Sequence, residues 1–197
     1  MIVMDIETSG LDRVKCGIWQ IGAYDTISGE EFLEESRVDD EEDIFEGALR
    51  VTGKTEEQLR DLNKQTQKKL LERFFKWVSK RKFKNFLCQN PQFDVAFLEI
   101  KAKKFELEIP FHFRSFDLHS IAQLRYKDLR GKFLIQEDHS SMGLSNILDF
   151  CGMEDSRGVH NALEDSKLTA ECFYRLVYGK VLFPEFLKFE IPEYLKK

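Results

Sequence analysis

Met1-Ile2-Val3-Met4-Asp5-Ile6-Glu7 is the stretch from which the rest of the chain is read. Residues 1–7 are apolar on both alternating faces until the carboxylates interrupt them, the pattern of a short strand buried on both sides. In a strand, side chains at i and i+2 project to one face, on backbones about 6.6 Å apart. Asp5 and Glu7 are therefore presented side by side at the end of a buried strand. Left uncompensated there, they repel and pay for desolvation, so the strand end is either wet or holds a cation. In a chain with 33% charged residues a single Asp-x-Glu carries little weight alone. Its weight depends on what the later segments bring to it.

Outward from this strand, a second is expected near Trp19 to Thr26 and a third near Glu30 to Arg37. Only Ile27-Ser28-Gly29 joins them, which forces an antiparallel hairpin. The rhythm then changes. Helices are expected near Glu56 to Leu62 and Gln67 to Ser79, a strand at Asn85 to Gln89, and a helix from Pro91 to Lys104. A strand near Phe113 to Asp117 follows, then helices near His119 to Tyr126, Gly143 to Phe150 and Ala162 to Tyr178. Strands separated by helices imply parallel neighbours, so the fold class is α/β, a mixed sheet flanked by helices.

The 197 residues and 23.2 kDa suit one folding unit with an ordinary core. The apolar start is cut short by Asp5 and Glu7, so it reads as neither signal peptide nor membrane span, and a soluble, cytoplasmic protein with no membrane partner is expected. Cys16, Cys88, Cys151 and Cys172 show no metal-ligand spacing and read as small buried apolar residues of a reducing compartment. The tail from Lys180 to Lys197, rich in Phe, Leu and Tyr, is expected to pack on the domain.

The net charge of −5 argues against a protein that coats long nucleic acid. The charge is uneven: residues 1–62 are net −11 and the remainder net +6. The acidic run Asp39 to Asp43 reads as an exposed loop. Residues 64–84 hold nine Lys or Arg against Glu72 alone. Taken by itself this run is a solvated helix face; beside a phosphate-handling site it would be a track for nucleic acid, with Lys101, Lys103 and Lys104 or Arg125 to Lys132 as the other candidate approaches.

Two further segments carry chemistry. In Asn90-Pro91-Gln92-Phe93-Asp94, Asn as N-cap and Pro at the first helical position make a helix start. Asp94 then lies in the first turn and shares a face with Phe97, Leu98 and Lys101. An acid there can be a partner of the helix dipole and nothing more. Its apolar face, directly after a strand, aims it at the sheet edge that carries Asp5. In Val159-His160-Asn161-Ala162-Leu163-Glu164-Asp165, Asn161 and Glu164 have capping-box spacing for the last long helix. His160 falls in the preceding loop, and Asp165 on the core-facing side with Ala162, Thr169, Cys172 and Leu176. His112, His119 and His139 read as structural or surface histidines.

Taken in order, Asp5/Glu7, Asn90/Phe93/Asp94 and His160/Ala162/Asp165 resemble the motifs of the DEDDh branch of the DnaQ-like 3′-to-5′ exonucleases, in the ribonuclease-H-like superfamily. The resemblance spans about residues 1–178, with the exonuclease domain at 1–180 and a tail at 181–197. It includes Gln20-Ile21-Gly22 and Val51-Thr52-Gly53-Lys54-Thr55. It implies a ribonuclease H-like mixed five-stranded sheet flanked by helices. It also implies a site in which Asp5, Glu7, Asp94 and Asp165 hold two divalent cations, Mg²⁺ or Mn²⁺, and His160 takes a proton from the attacking water. Thr8, Leu11, Asn90 and Phe93 are the implied substrate contacts, Leu11 as a wedge against the last base.

The implied activity is hydrolysis of a single-stranded or frayed 3′ end to nucleoside 5′-monophosphates, with DNA favoured over RNA and a DNA polymerase or repair protein as a compatible partner. Two departures bear on terminal-nucleotide contacts: Gln89 stands where the family often has His, and Pro91 where an aliphatic residue is usual. The competing reading is a polymerase-associated proofreading or non-catalytic nucleic-acid-binding module of the same fold. A ribonuclease-H-like endonuclease would share the acids but has no stated need for His160. Oligomeric state is left open.

Overall fold

A computed structural model describes residues 1–196. Its centre is a five-stranded sheet in the order β3-β2-β1-β4-β5: β3 is Glu31–Glu35, β2 Ile18–Asp25, β1 Ile2–Thr8, β4 Phe86–Cys88 and β5 Phe116–Asp117. The first three strands are antiparallel, and β4 and β5 run parallel to β1. The sheet is thus mixed, as short hairpin links and long helical links require. The helices are α1 (Glu46–Thr52), α2 (Glu56–Leu59), α3 (Gln67–Ser79), α4 (Pro91–Lys104), α5 (Leu118–Arg130), α6 (Leu144–Phe150) and α7 (Ala162–Tyr178). A small hairpin, β6 (Ile135–Gln136) and β7 (His139–Ser140), lies between α5 and α6.

β1 is buried on both faces, which explains its unbroken apolar start. Ile2, Met4 and Ile6 pack into one core with Phe74 and Leu71 of α3 and Phe97 and Leu98 of α4. Val3, on the opposite face, joins Leu118 and Ala122 of α5, Ile147 of α6 and Leu168 and Cys172 of α7. By alternation Asp5 and Glu7 share the face of Val3, under α7. All four cysteines are free and buried. No helix among the described residues is long and apolar enough to cross a membrane.

Several local expectations change. The fifth strand shrinks from 113–117 to Phe116–Asp117, because Asn85 Nδ2 holds the Arg114 carbonyl at 2.7 Å and the His112 ring accepts from Arg114 N, a local turn that competes with the ladder. The helix expected to reach Leu62 stops at Leu59, where Asp61 bonds the Asn63 backbone. α1 and the β6–β7 hairpin were not expected at all. The acidic run is not simply an exposed loop. Glu42 is buried and meets Lys101 Nζ at 2.5 Å, Lys104 Nζ at 2.9 Å and Gln67 Nε2 at 2.7 Å, clamping the loop to α3 and α4.

The segment after α7 returns across the second core. Buried Arg175 donates to Cys151 O, Phe186 O and Phe189 O, while Glu171 Oε2 accepts from Leu182 N and Phe183 N. Tyr194 Oη donates to Phe150 O at 2.9 Å. Lys197, the last residue of the tail, lies outside the described residues.

Candidate active site

Three segments distant in sequence meet at the C-terminal end of β1. β4 stops at Cys88, so the Ile6 N–H on that side of β1 turns instead to Asp94 Oδ1, 3.3 Å away. Asp94 thereby reaches the strand end from α4, on the opposite layer from α7. α7 is brought to the same place by β2. Gln20, the cross-strand partner of Glu7, accepts the Ala162 N–H through Oε1 at 2.8 Å. Ser166 Oγ donates to the carbonyl of Gly22, the partner of Asp5, at 2.9 Å. With its first turn so fixed, α7 aims Asp165 at the carboxylates of β1.

Asp5, Glu7, Asp94, His160 and Asp165 all line one open cavity of about 420 Å³. Within it Glu7, His160 and Asp165 each offer a ligand atom, all within 4.8 Å of one another. Asp5 and Asp94 share the cavity but stand outside that triple. His160 Nδ1 is 3.4 Å from Asp165 Oδ2, and its ring remains 38% exposed. Of the four histidines among the described residues, His160 is the one that lines this cavity.

Electrostatics make the cavity a place for cations. Burial and the neighbouring Asp94, Glu7 and Asp165 hold the Asp5 carboxyl well above its ordinary range. Burial, then Asp165 and Asp94, push Glu7 up to about 8. Burial pushes Asp94 to about 7, against the Ile6 hydrogen bond that lowers it. Glu7 Oε1 is buried without a hydrogen-bond partner. An orphaned buried oxygen among crowded carboxylates is what a hard dication satisfies, and oxygen donors with one imidazole nearby suit Mg²⁺ or Mn²⁺.

Three of the four expected substrate contacts, Thr8, Leu11 and Phe93, line a second, apolar cavity of about 720 Å³ that adjoins the first, with Ile6, Gly10 and Val51 among its other walls. Leu11 and Phe93 line both cavities, and Leu11 is 82% exposed on its loop. Thr8 Oγ1 donates to Gly10 O at 2.8 Å. Asn90 lines the acidic cavity but is not a side-chain N-cap. It takes a left-handed conformation at φ 69° and its N–H goes to Asp117 Oδ1. Pro91 disfavours the right-handed helical region for the residue before it, and Asn is among the residues that tolerate the left-handed one. At α7 the cap is one-sided: Asn161 Oδ1 accepts from Leu163 N and Glu164 N.

Arg157 was missed. It lines the acidic cavity and donates to Asp165 Oδ1 at 3.1 Å. An arginine in a polar loop gives no sequence signal of this. The converse holds for the basic run. Arg81 is buried beside Glu30 and Asp25, and Asp25 pairs with Ile2, so it sits at the far end of β1, roughly 16 Å of strand from Glu7. Lys64 and Arg73 are paired with Glu35 and Glu34. Among the alternative approaches, Lys101 is fully buried, Lys104 is held by Asp39, Glu41 and Glu42, and Arg125 and Arg130 engage Tyr194, while Lys103 and Lys132 are exposed.

Comparison with known proteins shows the family and the fold. The sequence model of the RNase_T family, described as Exonuclease, matches residues 2–173. The chain is 28% identical over 181 residues to a DNA polymerase III PolC-type of Thermotoga maritima, covering 89% of this chain and 12% of that protein. It is 26% identical over 178 residues to the PolC-type of Caldanaerobacter subterraneus subsp. tengcongensis, again covering 89% of this chain and 11% of that one. The chain thus spans about an eighth of the length of these curated relatives. Among solved structures it superposes on E. coli exonuclease I in complex with a dT13 oligonucleotide, at TM-score 0.70, 20% identity and coverage of 88% and 40% of the two chains. It also superposes on the nuclease domain of 3′hExo, a DEDDh family member bound to rAMP, at TM-score 0.67, 19% identity and coverage of 98% and 95%. These two likenesses are of fold: the ribonuclease H-like sheet and its flanking helices.

Proposed function

Since this chain belongs to the RNase_T exonuclease family, we propose that it is a cytoplasmic, metal-dependent 3′-to-5′ exonuclease releasing nucleoside 5′-monophosphates from single-stranded or frayed nucleic-acid ends. The observation that carries this reading is the convergence of Asp5, Glu7, Asp94 and Asp165 on one open cavity in which Glu7 Oε1 has no partner. Residues 1–180 are the exonuclease domain in this reading, with the following segment packed on it.

Asp5, Glu7 and Asp165 would hold one Mg²⁺ or Mn²⁺, with Asp5 shared to a second and Asp94 supporting the site directly or through water. Bound there, such ions neutralise the charge that develops on the attacking and leaving oxygens of an in-line phosphoryl displacement. The carboxylates must give up their protons to take that role, and their crowding sets the drive for cation binding. His160 stands accessible at the rim. Asp165 Oδ2 faces Nδ1 and favours the proton there, which leaves Nε2 free to take a proton from the attacking water. The apolar cavity receives the terminal base, with Leu11 and Phe93 at the boundary between base and phosphate and the Thr8 backbone beside them. Asn90 flanks the phosphate side.

DNA is the favoured substrate, because the PolC-type relatives are named as DNA polymerases and exonuclease I was solved with dT13. The PolC names also favour a second reading, in which the domain proofreads beside a DNA polymerase. One assay separates these. Degradation of 5′-labelled single-stranded DNA and RNA is expected to shorten the strand from its 3′ end, stop with EDTA and return with Mg²⁺ or Mn²⁺. Asp5→Asn should fold and not cut. Undiminished cutting by Asp5→Asn would sink the site. Cutting that appears only on addition of a polymerase would favour the proofreading reading.

A further inference from the structure

Arg157 is built into the acidic cavity more firmly than an adventitious counter-ion would be. Its Nε and Nη2 meet Asp155 Oδ1 and Oδ2 at 2.8 and 2.7 Å, a two-pronged pair. Nη2 also donates to Ser145 Oγ at 3.0 Å, and Nη1 to Asp165 Oδ1 at 3.1 Å. The side chain is 8% exposed. Such a fork fixes the plane of the guanidinium, and with it the directions in which Nη1 donates. With Oδ1 of Asp165 so engaged, the opposite oxygen, Oδ2, faces His160 at 3.4 Å, and Asp165 shares the candidate metal cluster with Glu7 and His160.

We propose that Arg157 is the positioning residue of the metal site: pinned by Asp155 and Ser145, it orients Asp165 so that Oδ2 is presented to the cation held with Glu7. The inference rests on the metal-site reading above. The guanidinium charge also reaches Asp5 and Glu7, where it counters the burial that raises both carboxyls, so Arg157→Lys is needed to separate charge from geometry. Outer partners of metal ligands act in this way, by fixing a ligand's rotamer before the ion arrives. Asp155 itself does not line the cavity, which separates the positioning chain from direct contact with ion or substrate.

Mn²⁺ titration calorimetry on the full chain tests this, with Arg157→Gln, Arg157→Lys and Asp155→Asn beside the wild type. Arg157→Gln is expected to weaken Mn²⁺ binding about 10- to 100-fold, the range seen when outer partners are lost. Asp155→Asn keeps the guanidinium but loosens it, and should weaken binding about tenfold, toward the lower end of that range. Arg157→Lys keeps the charge but loses the fork, and should recover only part of the affinity. At saturating Mn²⁺ the KM for an oligonucleotide should stay at the wild-type value in all three. Unchanged or tighter Mn²⁺ binding in Arg157→Gln overturns the proposal, as does a raised KM with intact Mn²⁺ affinity, which would make Arg157 a phosphate contact. If Arg157→Gln does not fold, Asp155→Asn decides: wild-type Mn²⁺ affinity there overturns the proposal. A wild-type chain that binds no Mn²⁺ removes the metal-site reading itself, an outcome distinct from equal binding by wild type and variants.

Discussion

Gly22 and Ala162 touch backbone to backbone: a Cβ built on Gly22 would lie 2.1 Å from the Ala162 carbonyl carbon and equally close to Leu163 N. No side chain fits between β2 and the first turn of α7. That contact, with the Gln20 and Ser166 hydrogen bonds on either side of it, sets how near Asp165 comes to Asp5 and Glu7.

Gly22→Ala is therefore expected to destabilise the protein by about 1–3 kcal/mol, the usual cost of overpacking, and toward the upper end because the obstacle is backbone. It should also weaken Mn²⁺ binding, because α7 must lift. Chemical denaturation and calorimetry measure the two effects. Wild-type stability and Mn²⁺ affinity together would show that the close approach has no bearing on the site.

Stability without metal should fall as pH rises. Glu7 goes from 4.5 in the unfolded chain to about 8, Asp94 from 3.8 to about 7, and Asp5 is also raised. Between those limits the folded protein holds protons that the unfolded chain has released, so the stability they contribute is full below the unfolded values and lost as pH climbs to about 8. Carboxyls lowered by pairing, such as Asp155 beside Arg157, lose stability only in stronger acid, outside this window. Thermal melts in EDTA should thus decline from about pH 5 to pH 8, and Mg²⁺ or Mn²⁺ at pH 8 should restore the loss by replacing protons with cations. A flat profile in EDTA would mean that the carboxylates are not crowded as described.

His160→Ala separates a proton acceptor from a ligand. Its ring nitrogen lies within the 4.8 Å cluster with Glu7 and Asp165, so either role is geometrically open. The expected outcome is a rate loss of about 10² to 10⁴, the range for losing a general base, with Mn²⁺ affinity retained. Lost affinity with little loss of turnover would assign His160 to the metal.

Glu42 tests the buried ion pair that ties the acidic loop to α4. Glu42→Ala leaves fully buried Lys101 without its anion, and stranding a buried charge costs about 3–5 kcal/mol. Pairing Glu42→Leu with Lys101→Met should return part of that loss, since an apolar pair removes both charges' desolvation penalties but leaves buried Gln67 Nε2 without its acceptor. Denaturant midpoints read both. A single variant as stable as the wild type would show that Lys101 can escape to solvent.

Much of the fold was legible in the sequence because its signals are local. β1 announced itself by apolar residues on both faces, and α3, α4 and α7 formed over the expected spans because periodicity and Pro91 or Asn161 mark them. Glu46–Thr52 escaped notice because a seven-residue helix with an uncapped start carries little periodic pattern. The strand before Asp117 was overextended because Asn85, far away in sequence, ties up the Arg114 carbonyl.

The sequence by itself determined the residue types and order of the site: an acid pair two apart on a strand, an acid in the first turn of a helix, and a His five residues before a core-facing Asp. Those relations are set by strand and helix periods, which act over a few residues. The tertiary structure alone decided which charges stay free. It buried Lys101 against Glu42, placed Arg81 at the far end of β1 and turned Arg157, an unremarked loop residue, toward Asp165. Pairing of charges depends on which elements stack on which face, and that is settled by burying the two cores against β1, not by spacing along the chain.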